Sequence, residues 1–219
     1  MKTSFYDKKE LIDALVSSSD IVLDVGFWGQ GVSVSSPHWV HNMLRAHAAE
    51  VWGIDIEYDD ARLLATPSRG GPQDARFYRR MSAESFTLPQ KFDVIFAGDL
   101  IEHLPNPGLF LERARAHLKP RGRLVMTTPN CFNLFSIVEK FTKGEPSVNR
   151  DHTCYFNERT LRQLLGKCGF DSVEHAFMWR LDVEYKESWK KKILNIFYTL
   201  IGSFSPRFLE TLVVVAKNK

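Results

Sequence analysis

Phe92–Asn130, FDVIFAGDLIEHLPNPGLFLERARAHLKPRGRLVMTTPN, carries the pattern that decides the fold. Phe92–Ala97 (FDVIFA) reads as a strand buried on both faces, since a near-continuous apolar run suits a covered parallel sheet. Asn106-Pro107 opens a helix, with Asn as cap and Pro in the first turn. That helix runs to Leu118 and stops at Lys119-Pro120-Arg121-Gly122. Arg123–Thr128 (RLVMTT) is the next strand. Strand, helix and strand in this order form one right-handed parallel unit.

The same alternation extends outward. On the N-terminal side, Ile21–Val25 (IVLDV) is a strand followed by a glycine-rich turn. Ser36 and Pro37 open a helix to about Ala48, and Val51–Ile56 (VWGIDI) is a strand. A short helix over Tyr58–Ala65, a loop over Ser68–Asp74 and a weakly signalled strand over Arg76–Arg80 follow. On the C-terminal side, Asn157–Cys168 is a helix closed by Gly169. Strands near Asp171–Phe177 and over Leu209–Ala216 complete the chain. The expected fold is α/β: a Rossmann-like, doubly wound, mostly parallel seven-stranded sheet, helices on both faces, and a late antiparallel strand. One domain spans residues 1–219, and its least regular parts, 131–152 and 179–207, are the expected substrate-side insertions.

Composition narrows the class. The 219 residues are 44% hydrophobic and 25% charged, which supports a packed core, and 16 Phe supply aromatic bulk. Lys plus Arg number 29 against 26 for Asp plus Glu, and the net charge of +3 is too small and too dispersed for a dedicated nucleic-acid binder. Three Cys with no paired spacing argue for neither a disulfide framework nor a zinc site, so a reducing, cytoplasmic location is expected. The opening MKTSFYDKKELIDAL is too charged for a secretory signal, and no apolar run reaches the roughly 18 residues of a membrane span. Trp189-Lys-Lys-Lys192 followed by Ile193–Phe204 (ILNIFYTLIGSF) pairs basic charge with an apolar run. Residues 189–204 therefore read either as a peripheral contact with the inner membrane face or as a core-covering helix with a solvated basic start.

Residues 24–31, DVGFWGQG, follow the first strand at the turn where such sheets let a ligand approach the backbone. Asp55 ends the second strand, where an acid can accept both hydroxyls of a ribose. Its other reading is a cap for the segment starting at Tyr58.

With these blocks in place, Ile21 to Phe170 resembles the class I S-adenosylmethionine-dependent methyltransferases. VLDVGFWGQG resembles the first motif, VWGIDIEYDD the second, and MSAESF with Phe92–Asn130 the rest. The resemblance implies S-adenosyl-L-methionine as donor. By it, Asp24 and Gly26, with Gly29 in the same turn, lie near the methionine moiety. Asp55, with Ile56 beside it, holds the ribose. Ser82, Ala83 and Glu84 flank the adenine. Gly98 and Asp99 face the sulfonium, and Thr128 and Asn130 line the acceptor side. Two residues depart from the family pattern: Trp28 stands at the second glycine, and Ser82 stands where an Asp is common.

Asp99, Glu102 and His103 are spaced i, i+3 and i+4, which one helical turn would place on one face. Pro105 keeps that turn short. With the distant His152 they resemble quinone-biosynthesis O-methyltransferases and small-RNA 3′-end 2′-O-methyltransferases, whose corresponding residues bind a divalent metal. Three readings stand. His103 or His152 is a metal-free general base oriented by Glu102. Alternatively Asp99, Glu102, His103 and His152 hold one divalent metal that activates a hydroxyl. In the third, His103 is a turn residue and Glu102 a solvated charge.

TTPNCFNLF and, further on, VNRDHTCYFNERTLRQLLGKCGF resemble methyltransferases associated with cell-surface polysaccharide biosynthesis. That implies O-methylation of a sugar, glycan or lipid-linked glycan, with Phe132, Phe135, Tyr155 and Phe156 as candidate apolar contacts. A quinone or other small-molecule acceptor is the enzymatic alternative. A non-catalytic S-adenosylmethionine-binding regulatory subunit is the other class.

Overall fold

Apolar side chains on successive residues of one strand point to opposite faces, so a sheet built of such strands must be covered twice. The computed structural model shows this arrangement, and it describes residues 1–28, 33–34, 36–59, 77–179, 196, 199–200 and 202–219. In chain order the elements are β1 (Ser4–Phe5), α1 (Lys8–Leu15), β2 (Ile21–Val25), α2 (Val40–His47), β3 (Glu50–Asp55), β4 (Tyr78–Arg80) and β5 (Phe92–Gly98). A 3₁₀ turn over Ile101–His103 follows, then α3 (Pro107–His117), β6 (Leu118–Pro129), α4 (Leu134–Lys143), α5 (Glu158–Lys167), β7 (Ser172–Met178) and β8 (Thr211–Lys217).

The strands form one sheet in the order β1-β7-β8-β6-β5-β2-β3-β4. Only β8 runs against its neighbours, β6 and β7. On one face Leu23, Val25, Ile95, Leu124 and Val214 pack with Phe110 and Leu111 of α3 and Leu161 and Leu165 of α5. On the other, the intervening Val22, Val94, Val125 and Val213 pack with Leu11 and Ile12 of α1 and Leu44 of α2. The expected doubly wound α/β sheet, with its late antiparallel strand, is therefore observed.

Four local features differ from expectation. The sheet has eight strands, because Ser4 and Phe5 pair with Phe177 and Met178 at the β7 edge. Two residues are too few to show a strand pattern, and the adjoining helix α1, capped by Asp7, also escaped notice beneath its charges. Helix α2 starts at Val40 rather than Pro37, after the Ser36 carbonyl accepts the Trp39 N–H in a turn. Segment 131–152, expected to be irregular, holds α4, whose N-cap Asn133 accepts the Ser136 N–H. Strand β6 begins five residues before Arg123, at Leu118, directly after α3. The helix expected over Tyr58–Ala65, the loop over Ser68–Asp74 and the first residue of the third expected strand, Arg76, fall largely or wholly outside the described residues.

Candidate active site

Strands β2, β3, β4, β5 and β6 are mutually parallel and end at Val25, Asp55, Arg80, Gly98 and Pro129, so their following loops share one edge of the sheet. Such a carboxyl edge is where open α/β sheets bind ligands.

The loop after β5 carries the acidic and histidine cluster. Asp99 takes a left-handed backbone conformation, φ 51°, which few non-glycine residues adopt. Its N–H donates to the Thr127 carbonyl at 2.9 Å and to Thr127 Oγ1 at 3.1 Å. Its carboxylate accepts the Thr127 hydroxyl at 2.9 Å and the Lys8 ammonium at 2.8 Å. The expected helical face from residue 99 is therefore not formed, since the 3₁₀ turn begins at Ile101. Asp99 is turned toward Lys8 and Thr127, and the group of close metal-competent donors is Glu102, His103 and His152 without it.

Glu102 is 2% exposed. Its Oε2 accepts the Thr128 hydroxyl at 2.8 Å, and its buried Oε1 meets no donor among the described residues. Burial, and secondarily the neighbouring Asp99 charge, raise its carboxyl to about 7. One ligand atom each from Glu102, His103 and His152 lies within 4.8 Å of the others. The two imidazoles meet edge to face, with ring centroids 4.6 Å apart. Thr153 brings these distant segments together. Its N–H donates to the Glu102 carbonyl at 2.7 Å, and its hydroxyl to the Glu102 and Leu104 carbonyls at 3.1 and 2.8 Å.

The expected donor residues lie along the same edge. Asp24 is fully buried, its Oδ2 2.9 Å from His41 Nδ1, and no described residue donates to its Oδ1. Gly26 needs its glycine twice over: its φ is +76°, and an added Cβ would lie 2.9 Å from the Leu100 side chain. Asp55 accepts the Trp28 N–H at 3.0 Å and the Glu57 N–H at 2.8 Å, and burial raises its carboxyl above the ordinary value. Ile56 beside it is exposed. Ser82 Oγ accepts the Glu84 N–H at 3.2 Å, Ala83 is buried, and Glu84 Oε1 accepts the Asn106 N–H at 2.6 Å. Glu84 thus ties the turn over residues 82–84 to the start of α3, while the Asn106 side chain makes no cap. At Gly98 an added Cβ would lie 3.1 Å from the Phe96 ring and 3.6 Å from Lys8 Nζ. Gly29 lies outside the described residues.

The residues expected on the acceptor side divide. Phe132 and Tyr155 are exposed, Phe135 is half-buried, and Phe156 belongs to the core. Asn130 and Thr128 are buried scaffold: the Asn130 amide donates to the Arg207 and Leu209 carbonyls at 2.8 and 2.9 Å, and Thr128 serves Glu102. The basic cluster Trp189–Lys192 lies outside the described residues. Of the apolar run after it, Ile196, Leu200 and Phe204 are exposed. Among the described residues no helix is long and apolar enough to cross a membrane.

Sequence reading missed Lys8, His41 and Thr153. Lys8 sits in a charged N-terminal stretch with nothing to link it to residue 99. His41 carried a signal, being a polar residue on the apolar side of a helix start. Thr153 follows His152 directly, and only its contacts reveal its part.

The residues fit two kinds of guest. A buried carboxylate oxygen without a donor, as in Asp24 and Glu102, suits a cationic group or ion. One carboxylate and two imidazoles form a mixed oxygen and nitrogen set suited to a divalent metal.

A ubiquinone biosynthesis O-methyltransferase of Cereibacter sphaeroides is 27% identical over 136 residues, 59% of this chain and 55% of the relative. One from Nitrobacter winogradskyi is 40% identical over 53 residues, 24% of this chain and 20% of the relative. The chain thus spans between a fifth and just over half of these relatives. The fold matches a crystal structure of a SAM-dependent methyltransferase from Archaeoglobus fulgidus, with TM-score 0.59, 18% identity, and coverage of 96% of this chain and 94% of that one. A family model described as a methyltransferase domain matches residues 9–175, most of the described sheet included, and on that match this chain belongs to the methyltransferase domain family.

Proposed function

We propose that the chain is an S-adenosylmethionine-dependent O-methyltransferase acting on a hydroxyl of a small aromatic, quinone-type acceptor. The observation that carries the reading is Glu102: a buried carboxyl raised to about 7, its Oε1 meeting no donor among the described residues, beside two histidines at the ligand edge of a methyltransferase sheet. A group titrating near 7 can take a hydroxyl proton at neutral pH and lose it again.

When bound, S-adenosylmethionine supplies an electrophilic methyl group on a sulfonium. Asp55 would accept the ribose hydroxyls through lone pairs left after its two backbone N–H bonds. Exposed Ile56, with Ala83 and the Ser82–Glu84 turn, offers an apolar edge for the adenine. Asp24 and Gly26 would hold the methionine end, and Gly98 and Asp99 the sulfonium side. Glu102 lies beside His103 and His152, and one of these three takes the acceptor proton as the hydroxyl attacks. Positioning supplies much of the remaining rate. The same Glu102, His103 and His152 would hold a divalent cation, which when bound lowers the pKa of a coordinated hydroxyl.

Similarity to ubiquinone biosynthesis O-methyltransferases supports a small aromatic acceptor over the glycan suggested by the polysaccharide-associated resemblance. The non-catalytic reading leaves the buried Glu102 without a purpose. We read residues 1–219 as one domain with acceptor-side insertions at 131–152 and 179–207. Exposed Phe132, Val138 and Phe141 on the first of them support that role. Three free thiols, Cys131, Cys154 and Cys168, support a reducing, cytoplasmic setting.

The test is transfer of labelled methyl from S-adenosylmethionine to a panel of catechols and dihydroxyquinols, set against a bacterial glycan extract. Labelling of a phenolic oxygen, lost in Glu102→Ala, is expected. Labelling of glycan alone would restore the sugar acceptor, and no labelling of either would favour the non-catalytic reading.

A further inference from the structure

We propose that His41 is a positioning residue of the donor site: it orients the Asp24 carboxylate so that Oδ1 receives the α-ammonium of the donor's methionine moiety. This rests on the donor-site reading above and deepens it.

The geometry is a buried polar chain beneath the glycine turn. His41 is fully buried in the first turn of α2. Its Nδ1 lies 2.9 Å from Asp24 Oδ2 at the end of β2, and its Nε2 lies 3.1 Å from the Tyr78 hydroxyl on β4. A carboxylate can only accept, so Nδ1 carries the proton toward Asp24, while Nε2 shares a hydrogen bond with the Tyr78 hydroxyl. The ring is clamped as well, with the Phe27 ring centroid 4.9 Å away and the Trp39 centroid 5.0 Å away. Trp39 Nε1 donates to the Phe27 carbonyl at 2.8 Å, and the Asn42 amide donates to the Val34 and Ser36 carbonyls at 2.9 and 3.1 Å. Trp39, His41 and Asn42 therefore hold Phe27, Asp24, and the Val34 and Ser36 carbonyls in place.

This leaves Asp24 with one oxygen held and the other buried without a donor among the described residues. A buried carboxylate in that state is costly unless a cation completes it. S-adenosylmethionine carries two cationic centres, and only its ammonium has N–H groups to donate. The sulfonium can attract Asp24 but cannot satisfy Oδ1. His41 thus selects the amino-acid end of the donor and leaves the nucleoside end to Asp55.

The experiment is calorimetric titration of S-adenosylhomocysteine, and separately of 5′-methylthioadenosine, into wild type, His41→Leu, His41→Asn and His41→Gln. Methylthioadenosine keeps the nucleoside and lacks the amino-acid group. Wild type is expected to bind both. His41→Leu is expected to weaken S-adenosylhomocysteine at least tenfold and methylthioadenosine less than twofold. His41→Asn, whose amide can donate where Nδ1 does, should recover most of the lost affinity. His41→Gln, whose amide sits nearer the Tyr78 end, should not. Equal loss of both ligands in His41→Leu, unchanged binding of both, or no advantage of Asn over Gln would overturn the inference while the donor site stands. If His41→Leu does not fold, the Asn-against-Gln comparison decides alone. Binding of neither ligand by folded wild type would overturn the donor-site reading itself, and this inference with it.

Discussion

The Thr128 hydroxyl donates to Glu102 Oε2 at 2.8 Å with both residues buried, and Glu102 Oε1 meets no donor among the described residues. Thr128 lies near the end of β6 and Glu102 in the turn after β5, so two neighbouring strands jointly fix the carboxyl. One hydrogen bond holds its position, and burial keeps it titrating near 7 instead of near 4.5.

That shift has a sign. The folded protein binds the Glu102 proton more tightly than the unfolded chain does. Stability from this group is complete below about 4.5 and is lost as pH rises through about 7. The loss amounts to about 3 kcal/mol. Glu102→Gln removes it, so the melting temperature of the variant relative to wild type should climb as pH rises from about 4.5 to about 7 and level off above that. Methyl transfer by wild type should rise with pH through about 7, and the variant should be roughly 10²–10⁴-fold slower with that step absent. Thermal melts and a pH–rate profile check both.

Manganese titrated into chelator-treated protein should bind at one site through Glu102, His103 and His152. His152→Ala should abolish binding, whereas Asp99→Asn should retain it, because Asp99 faces Lys8 and Thr127. Calorimetry or manganese electron paramagnetic resonance reads the difference.

Asp55→Ala should weaken S-adenosylhomocysteine by roughly 10–100-fold, the loss of hydrogen bonds to a charged acceptor. It also frees the Trp28 and Glu57 N–H groups that Asp55 now accepts. Adenine binds without a ribose contact, so its affinity should change little. Titrations with both ligands test this.

Thr153→Val removes the hydroxyl that bridges the Glu102 and Leu104 carbonyls. Stability should fall by about 1–2 kcal/mol, and kcat by roughly tenfold or more as His152 drifts from His103. Urea melts and steady-state rates separate the two effects. An unchanged kcat would mean that His152 takes no part.

Gly169 closes α5 at φ +85°, and an added Cβ would lie 2.9 Å from the Arg115 guanidinium. Gly169→Ala should therefore cost about 1–2 kcal/mol from the left-handed backbone, with a lower urea midpoint and unchanged ligand affinity.

Where the information is local, the sequence alone was enough. Runs such as IVLDV and FDVIFA are apolar on both faces and can be stable only inside a doubly covered sheet. Asn157 and Thr160 form the capping box that starts α5, and Gly169 ends it. Asp55 stood out because an acid at a strand end in such a sheet faces the ligand edge, Asp24 through the motif resembling methyltransferases, and Glu102 through its spacing from Asp99 and His103. Strand β1 is too short to show a pattern, whereas α4 carries Leu134, Ile137, Val138 and Phe141 at helical spacing, a signal passed over because none of its residues is buried against the core and the segment reads as an insertion. The partnerships within the site were decided only in three dimensions. Asp99 leaves the cluster for Lys8, an ion pair spanning 91 residues. His152 reaches His103 because Thr153 is stitched to the Glu102 carbonyl. His41 meets Asp24 and Tyr78 from a third element. Periodicity records which side of an element faces the core. It carries no trace of which distant polar group will lie 3 Å away, because that depends on the packing of all the elements at once.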